Sequence, residues 1–298
     1  MILGLSIDGS HARGVLMDPG GAVTSRAEST QPSVADAIGA VAKELGAATA
    51  GPLEAAAVSF PDPDPRTQLA DLSFLSAVIG KSVPLSTLST GNASALAEMW
   101  YGAGKGAKNL IAFSVGPCTT AGVISNGVLL KGSHGLASSV QWLALNPVER
   151  DDYRRLGCLE AEGGSAGIVR RLVWRIKSGD RSRVLDTAGG DYNAITLDSI
   201  LTAARDNDGV SISVIRDTVK YLAMAVSNIA AVIDPDVIVL GGILESAADL
   251  LLEPIRQECA RRMPPGMTER VRIEVSQLGP DAAPMGTARF AKFGSALP

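Results

Sequence analysis

Twice in this chain an apolar run of strand character breaks at a short polar turn and then resumes. The first break is Asp8-Gly9-Ser10-His11, between residues 2–8 and 12–17. The second is Gly116-Pro117-Cys118-Thr119-Thr120, between residues 109–115 and 121–125. Each break reads as a hairpin, and after each the chain adds helices and further strands. A chain that repeats this order is constrained to a duplicated α/β fold closing over a central cleft.

The remaining pattern fills in the two halves. A third strand is expected over 22–28, and residues 33–47 carry Val34, Ile38, Val41, Ala42 and Leu45 at helical spacing. Residues 55–60 read as a strand entering the stiff loop Pro61-Asp62-Pro63-Asp64-Pro65. A helix follows near 92–101, with Asn92 as its N-cap and Gly102 as its stop. In the second half Asn126-Gly127 marks a hairpin turn into 128–131. A long helix near 212–232 ends at Asp234-Pro235. The buried strand Val237-Ile238-Val239-Leu240 is capped by Gly241-Gly242. The expected domains are 1–107, joined by a closing C-terminal helix over 286–298, and 108–285.

Composition excludes several classes. The 298 residues carry a net charge of −4, which gives no electrostatic case for nucleic acid or an anionic membrane surface. No apolar run approaches the roughly 20 residues of a membrane span, and Met1 leads into a strand without a signal-peptide pattern. Three widely spaced cysteines, Cys118, Cys158 and Cys259, point to a reducing, cytoplasmic setting. With only His11 and His134 beside them, no zinc set is recognisable.

Five segments in order resemble the ROK proteins (repressors, open reading frames, kinases) of the actin–hexokinase superfamily. They are Asn92-Ala93-Ser94-Ala95-Leu96-Ala97-Glu98 with Gly102–Gly106, then Gly132–Ala137, then Gly157-Cys158-Leu159-Glu160, then Asp234–Gly242, and finally Gly279–Ala288. The resemblance implies two ribonuclease H-like domains of the actin-like ATPase type. It also implies ATP and magnesium as cofactors, and a sugar as substrate.

The positions that carry the family's chemistry depart from its pattern. Its D-x-G-G-T becomes Ser6-Ile7-Asp8-Gly9-Ser10, so serine replaces the aspartate that serves the metal-phosphate end of the nucleotide. Asp8 is either a turn residue or, if the strand continues, a carboxylate on the same face as Ser6. Ser89-Thr90 stand where the family has Asn-Asp, and a threonine hydroxyl does not accept a proton at neutral pH. Losing a general base costs about 10²–10⁴-fold in rate. In the second phosphate loop, Gly116 is followed by Pro117, Cys118 and Thr119 instead of glycines, which removes an N–H donor and adds side chains.

The family's sugar-binding G-E-x-G-H corresponds to Ser138-Ser139-Val140-Gln141-Trp142. Only Cys158 survives of its four zinc ligands. Trp142, Tyr153 and Leu156 are expected to hold that region by packing. Glu160 matches a sugar-contacting glutamate, and reads equally as a solvated or capping carboxylate. Arg170, Arg171, Arg175, Lys177, Arg181 and Arg183 read as a solvated helix face. Trp100 reads as core.

The expectation is a ROK-like protein that does not act as a kinase. It would bind a small molecule, a sugar or a derivative, as a homodimer, with no cofactor, no zinc, no membrane contact and no direct DNA contact. Ser89, Thr90, Asn92, Ser139, Trp142 and Glu160 would line the ligand site. Asp8, Gly9, Ser10, Gly116, Thr119, Gly241 and Gly242 would form a vestigial nucleotide site. The alternative is an ATP- and magnesium-dependent kinase of a hexose, amino sugar or cyclitol, with Asp8 and another carboxylate in the replaced roles.

Overall fold

The computed structural model describes residues 1–49, 51–61, 72–80 and 82–295. In the first half, β1 (Ile2–Asp8), β2 (His11–Met17) and β3 (Val23–Thr30) form an antiparallel meander. Helix α1 (Val34–Ala47) leads to β4 (Ala55–Phe60), and α2 (Ser73–Ile79) to β5 (Leu85–Ser89), with β4 and β5 parallel to β1. The sheet order is β3-β2-β1-β4-β5. Helix α3 (Thr90–Tyr101) then carries the chain across.

The second half repeats the plan. Strands β6 (Leu110–Val115), β7 (Thr119–Ser125) and β8 (Val128–Leu129) form the meander. Helices α4 (Asp151–Leu156), α5 (Cys158–Gly163), α6 (Ser165–Lys177), α7 (Arg183–Thr187), α8 (Leu197–Arg205) and α9 (Gly209–Ile233) precede β9 (Val237–Gly242). Helices α10 (Ile243–Ser246), α11 (Ala248–Ala260) and α12 (Pro265–Thr268) lead to β10 (Arg272–Val275). The order β8-β7-β6-β9-β10 matches the first sheet strand for strand, so the duplication legible in the two turns extends through both sheets. Helix α13 (Ala282–Phe293) closes the fold against β1 and α3.

Helices α13 and α3 lie between the sheets, and glycines set their spacing. A Cβ on Gly4 of β1 would stand 2.1 Å from the Pro284 carbonyl oxygen of α13. One on Gly286 would stand 1.7 Å from that of Ala93 in α3. Further across, a Cβ on Gly91 would stand 2.0 Å from the Ala121 oxygen, and one on Gly122 2.0 Å from the Gly91 oxygen. Only hydrogen on these α-carbons allows backbone to meet backbone. The chain of contacts presses the first turn of α3 onto β7.

Several boundaries differ from the sequence reading. Helix α3 begins at Thr90, and its N-cap is Ser89, whose Oγ accepts the Asn92 N–H at 3.3 Å. The chain leaves β5 extended at Ser89, so Asn92 falls inside the first turn and is buried. The closing helix starts at Ala282 because Pro284 fits a first turn, where its missing N–H is not needed. Residues 296–298 of the expected helix lie outside the described residues, as do Asp62–Pro65 of the proline loop. Trp100 is only partly buried. Its ring and that of Phe293, 6.5 Å apart, enclose the Arg289 guanidinium, which holds α13 to α3. No helix among the described residues is long and apolar enough to cross a membrane.

Candidate functional site

The two hairpin turns and α3 enclose a cleft of about 500 Å³. Strand β1 delivers Ser6 and Asp8, the β6–β7 turn delivers Gly116, Pro117 and Cys118, and α3 contributes Thr90, Ser94 and Glu98. Gly241, Gly242 and Glu245 close the far side. Asp8 pairs with His11 across β1 and β2, so Gly9 and Ser10 form a two-residue turn, and both are exposed. Strand β1 runs to its end, and Asp8 keeps the inward face it shares with Ser6.

The Asp8 carboxylate reaches across the cleft. Its Oδ2 lies 3.4 Å from where a Cβ on Gly116 would stand, and its Oδ1 is buried without a hydrogen-bond partner among the described residues. Burial first, and then the negative charge of Glu160, push its pKa up to about 7. Glu160, at the start of α5, accepts the Thr119 N–H at 2.7 Å. Burial raises its pKa against that hydrogen bond. Thus one carboxylate points between the two turns, and a second takes an N–H of the loop that would face phosphate.

The opposite end is acidic too. Glu98 is buried and accepts Ser276 Oγ–H at 2.5 Å and Ala103 N–H at 3.0 Å, with its pKa raised by burial. Burial, and then Glu98, raise that of Glu245. Arg13 lines the cleft, but its guanidinium pairs with Glu28. Nothing in the sequence around Glu98 or Glu245 marks either as a site residue. Their common surroundings exist only after α10 and α3 meet across the cleft.

The sequence-predicted ligand residues do not form one site. Thr90 lines the cleft, and its Oγ1 is buried without a partner among the described residues. Ser89 and Asn92 instead line a second cavity of about 330 Å³ on the other side of the first turn of α3. Ser139 Oγ–H donates to the Leu136 carbonyl at 2.7 Å, and Trp142 is half exposed; neither lines either cavity. Gly116, Gly241 and Gly242 do line the cleft, with Thr119 buried beside Glu160.

The region matching the zinc motif is held differently from expectation. Trp142 is 50% and Leu156 43% exposed, so they are not its core. Glu162 is, at 5% exposed. Its Oε1 accepts Tyr153 Oη–H at 2.6 Å and Arg150 at 3.2 Å, and its Oε2 accepts Arg171 at 2.5 Å. Arg171 also reaches Thr218 Oγ1 at 3.0 Å, and Arg170 pairs with Asp152. Arg175 binds Asp180 and Ser213. The basic run on α6 is therefore largely an ion-paired seam, because α4, α5 and α9 pack over it. Cys158 is buried, and among the described residues no group of three or more metal-binding side chains occurs.

A family model described as the ROK family matches residues 79–293. The chain is 30% identical to a glucokinase of Halalkalibacterium halodurans over 207 residues, 68% of this chain and 62% of that one. A Thermotoga maritima glucokinase is 28% identical over 202 residues, 67% of this chain and 63% of that one. The chain thus spans a little under two thirds of the length of these curated relatives. Among solved structures, a ROK family glucokinase from Streptomyces griseus, in complex with glucose and AMPPNP, superposes with a TM-score of 0.82. Its identity is 22%, and the match covers 98% of this chain and 99% of that one. A ROK family transcriptional regulator, homologous to the Escherichia coli MLC protein, gives 0.80 at 23% identity over 96% of this chain and 76% of that one. These structural matches carry the fold, two ribonuclease H-like domains of the actin-like type.

Proposed function

Because this chain belongs to the ROK family, we propose that it keeps the sugar-kinase architecture as a small-molecule-binding, regulatory protein and does not transfer phosphate. The observation that carries this reading is the Asp8 carboxylate standing between the two turns, with Glu160 on the Thr119 N–H. A triphosphate placed there would meet the Asp8 carboxyl where the family has the first glycine of its turn, and would find the Thr119 N–H already taken by Glu160. Thr90, at the family's base position, adds no proton acceptor. A neutral or hydroxyl-bearing ligand needs no such cradle, and Ser6, Ser94 and Thr120 line the cleft with hydroxyls. The reading carries with it domains 1–107 and 108–285, a homodimer, and a cytoplasmic setting without zinc or direct DNA contact.

A second reading rests on the same side chain. Asp8 at about 7 has the proton affinity of a general base, and it shares a cavity with Thr90. On that reading the chain is a sugar kinase with a relocated base. Incubation with magnesium-ATP and a panel of hexoses, amino sugars and cyclitols separates the two. Non-catalytic protein releases no ADP above background. Turnover that Asp8→Asn abolishes would sink the first reading and establish the second.

A further inference from the structure

Helix α6 buries one side and leaves the next uncovered. Ile168, Leu172 and Ile176 enter the core, while Val169 and Val173, each one residue on, are only partly buried against it. With Ala166, and with Leu197 at the start of α8, they floor an open groove of about 410 Å³. Every lining residue lies between 165 and 197, so the groove is formed wholly within the second half of the fold. Ala166 to Lys177 spans roughly 16 Å, about three helical turns.

The charge along this groove has one sign. Both of its basic side chains stand on the α6 wall. Arg170 is fixed by Asp152 and by the Ala161 carbonyl, and the Lys177 ammonium lies over the Tyr192 ring at 4.9 Å, with no ion pair among the described residues. No acidic side chain lines the groove. The acids beside its far wall are turned to other work: Asp191 Oδ1 accepts the Asn193 N–H at 2.9 Å, and Asp198 acts on Arg205. Trp174 stands on the same ridge of α6 as Arg170 and Lys177, and it is 67% exposed. Tryptophan and arginine around an apolar floor are what the centre of a protein interface is made of. A second copy of this chain does not fit, because two-fold pairing would set the basic ridge against itself.

The groove is also tied to the cleft. Ser165, at its end, donates Oγ–H to the Gly116 carbonyl at 2.6 Å and its N–H to the same oxygen at 3.4 Å. Gly116 is the turn residue that Asp8 faces. A body seated against α6 therefore bears on that turn through one side chain.

We propose that this groove docks an amphipathic helix of a partner protein, one whose apolar stripe is flanked by aspartate or glutamate, and that docking shifts the turn at Gly116 through Ser165. The partner's apolar residues fill the floor between Val173 and Leu197, and its carboxylates meet Lys177 and Arg170. Trp174 covers its edge. Such a partner suits a regulatory protein, but the inference rests on the groove alone and holds whether or not the cleft transfers phosphate.

Fluorescence anisotropy of the full chain with two labelled peptides of about 18 residues tests this. One carries leucines at helical spacing flanked by glutamate; the other carries the same leucines flanked by lysine. The glutamate peptide binds saturably, and at least about tenfold more tightly than the lysine peptide. Lys177→Glu and Trp174→Ala, both at exposed residues, each weaken it about tenfold, while Asp8→Asn in the cleft leaves its affinity within about twofold. The turn is read at Cys118, which is partly exposed where Cys158 and Cys259 are buried. Saturating glutamate peptide changes the rate at which a thiol reagent modifies Cys118 by about fivefold or more. In Ser165→Ala the peptide still binds, and that rate no longer responds. The docking is overturned if the glutamate peptide does not bind saturably, if the lysine peptide binds as well, or if Lys177→Glu or Trp174→Ala leaves the affinity unchanged. The route to the cleft is overturned if bound peptide leaves the Cys118 rate unaltered, or if Ser165→Ala keeps the full response.

Discussion

The cleft and the Glu162 cluster are both built from charged side chains, the cleft's drawn from both halves of the fold and the cluster's from the second alone, and they are opposites. Around Glu162 the charges have partners: one carboxylate meets Tyr153, Arg150 and Arg171, and Arg170 meets Asp152. In the cleft, Asp8 Oδ1 and Thr90 Oγ1 are buried without partners among the described residues, and the acidic groups lean on one another. A buried polar network whose members are satisfied rigidifies its surroundings. Unpaired groups raise the energy of the folded chain unless something binds them. At the positions of the family's zinc motif a seam of ion pairs thus holds the chain, while Asp8 Oδ1 between the two turns lacks a partner among the described residues.

The sharpest way to break this contrast is Glu162→Ala. It leaves the partly buried Arg171 without its carboxylate, and the expected loss is about 3 kcal/mol, a fall in Tm of roughly 10 °C. A loss below about 1 kcal/mol in chemical denaturation would mean that the seam is ornamental.

Asp8→Asn should have the opposite sign. The folded-state pKa of Asp8 is raised from 3.8 to about 7. Stability held by its protonated form is therefore full below about pH 4 and is lost as pH rises through 7. Wild-type Tm should decline across that window, by up to about 4 kcal/mol of stability, and the asparagine variant should decline less. At pH 8 the variant gains about 1–3 kcal/mol, and near pH 4 the two coincide. Parallel pH profiles would show that Asp8 is not strained in the cleft.

The smallest expected effect is that of a chelator. Overnight dialysis against EDTA should leave Tm within about 1 °C, since a lost structural zinc would cost far more. A large drop would return a metal to the 151–160 region and dissolve the comparison.

Much of the fold was legible beforehand. Strand pairs around Asp8–His11 and Gly116–Thr120, the spacing Val34, Ile38, Val41, Leu45 in α1, and the Asp234-Pro235 stop of α9 are local signals. The family's departures at Ser6, Thr90 and Pro117 were legible too, because they are read against fixed motifs. Less of the site was. Arg170 and Arg171 looked like a solvated face, since nothing near them in sequence announces Glu162 as their counter-charge. Trp142 and Leu156 read as packing because bulky apolar residues usually are, yet each remains about half exposed.

What the amino-acid order determined by itself was the duplicated plan, since strand and helix periods are written within a few residues and each turn closes locally. Where the side chains at the start of α3 point was decided only when α3 was pressed between the sheets. Glycine contacts there set the helix's rotation to within an atom's width. Ser89, Thr90 and Asn92 are neighbours in the chain, but a helical turn sends them to two different cavities, and only packing says what lies on each side.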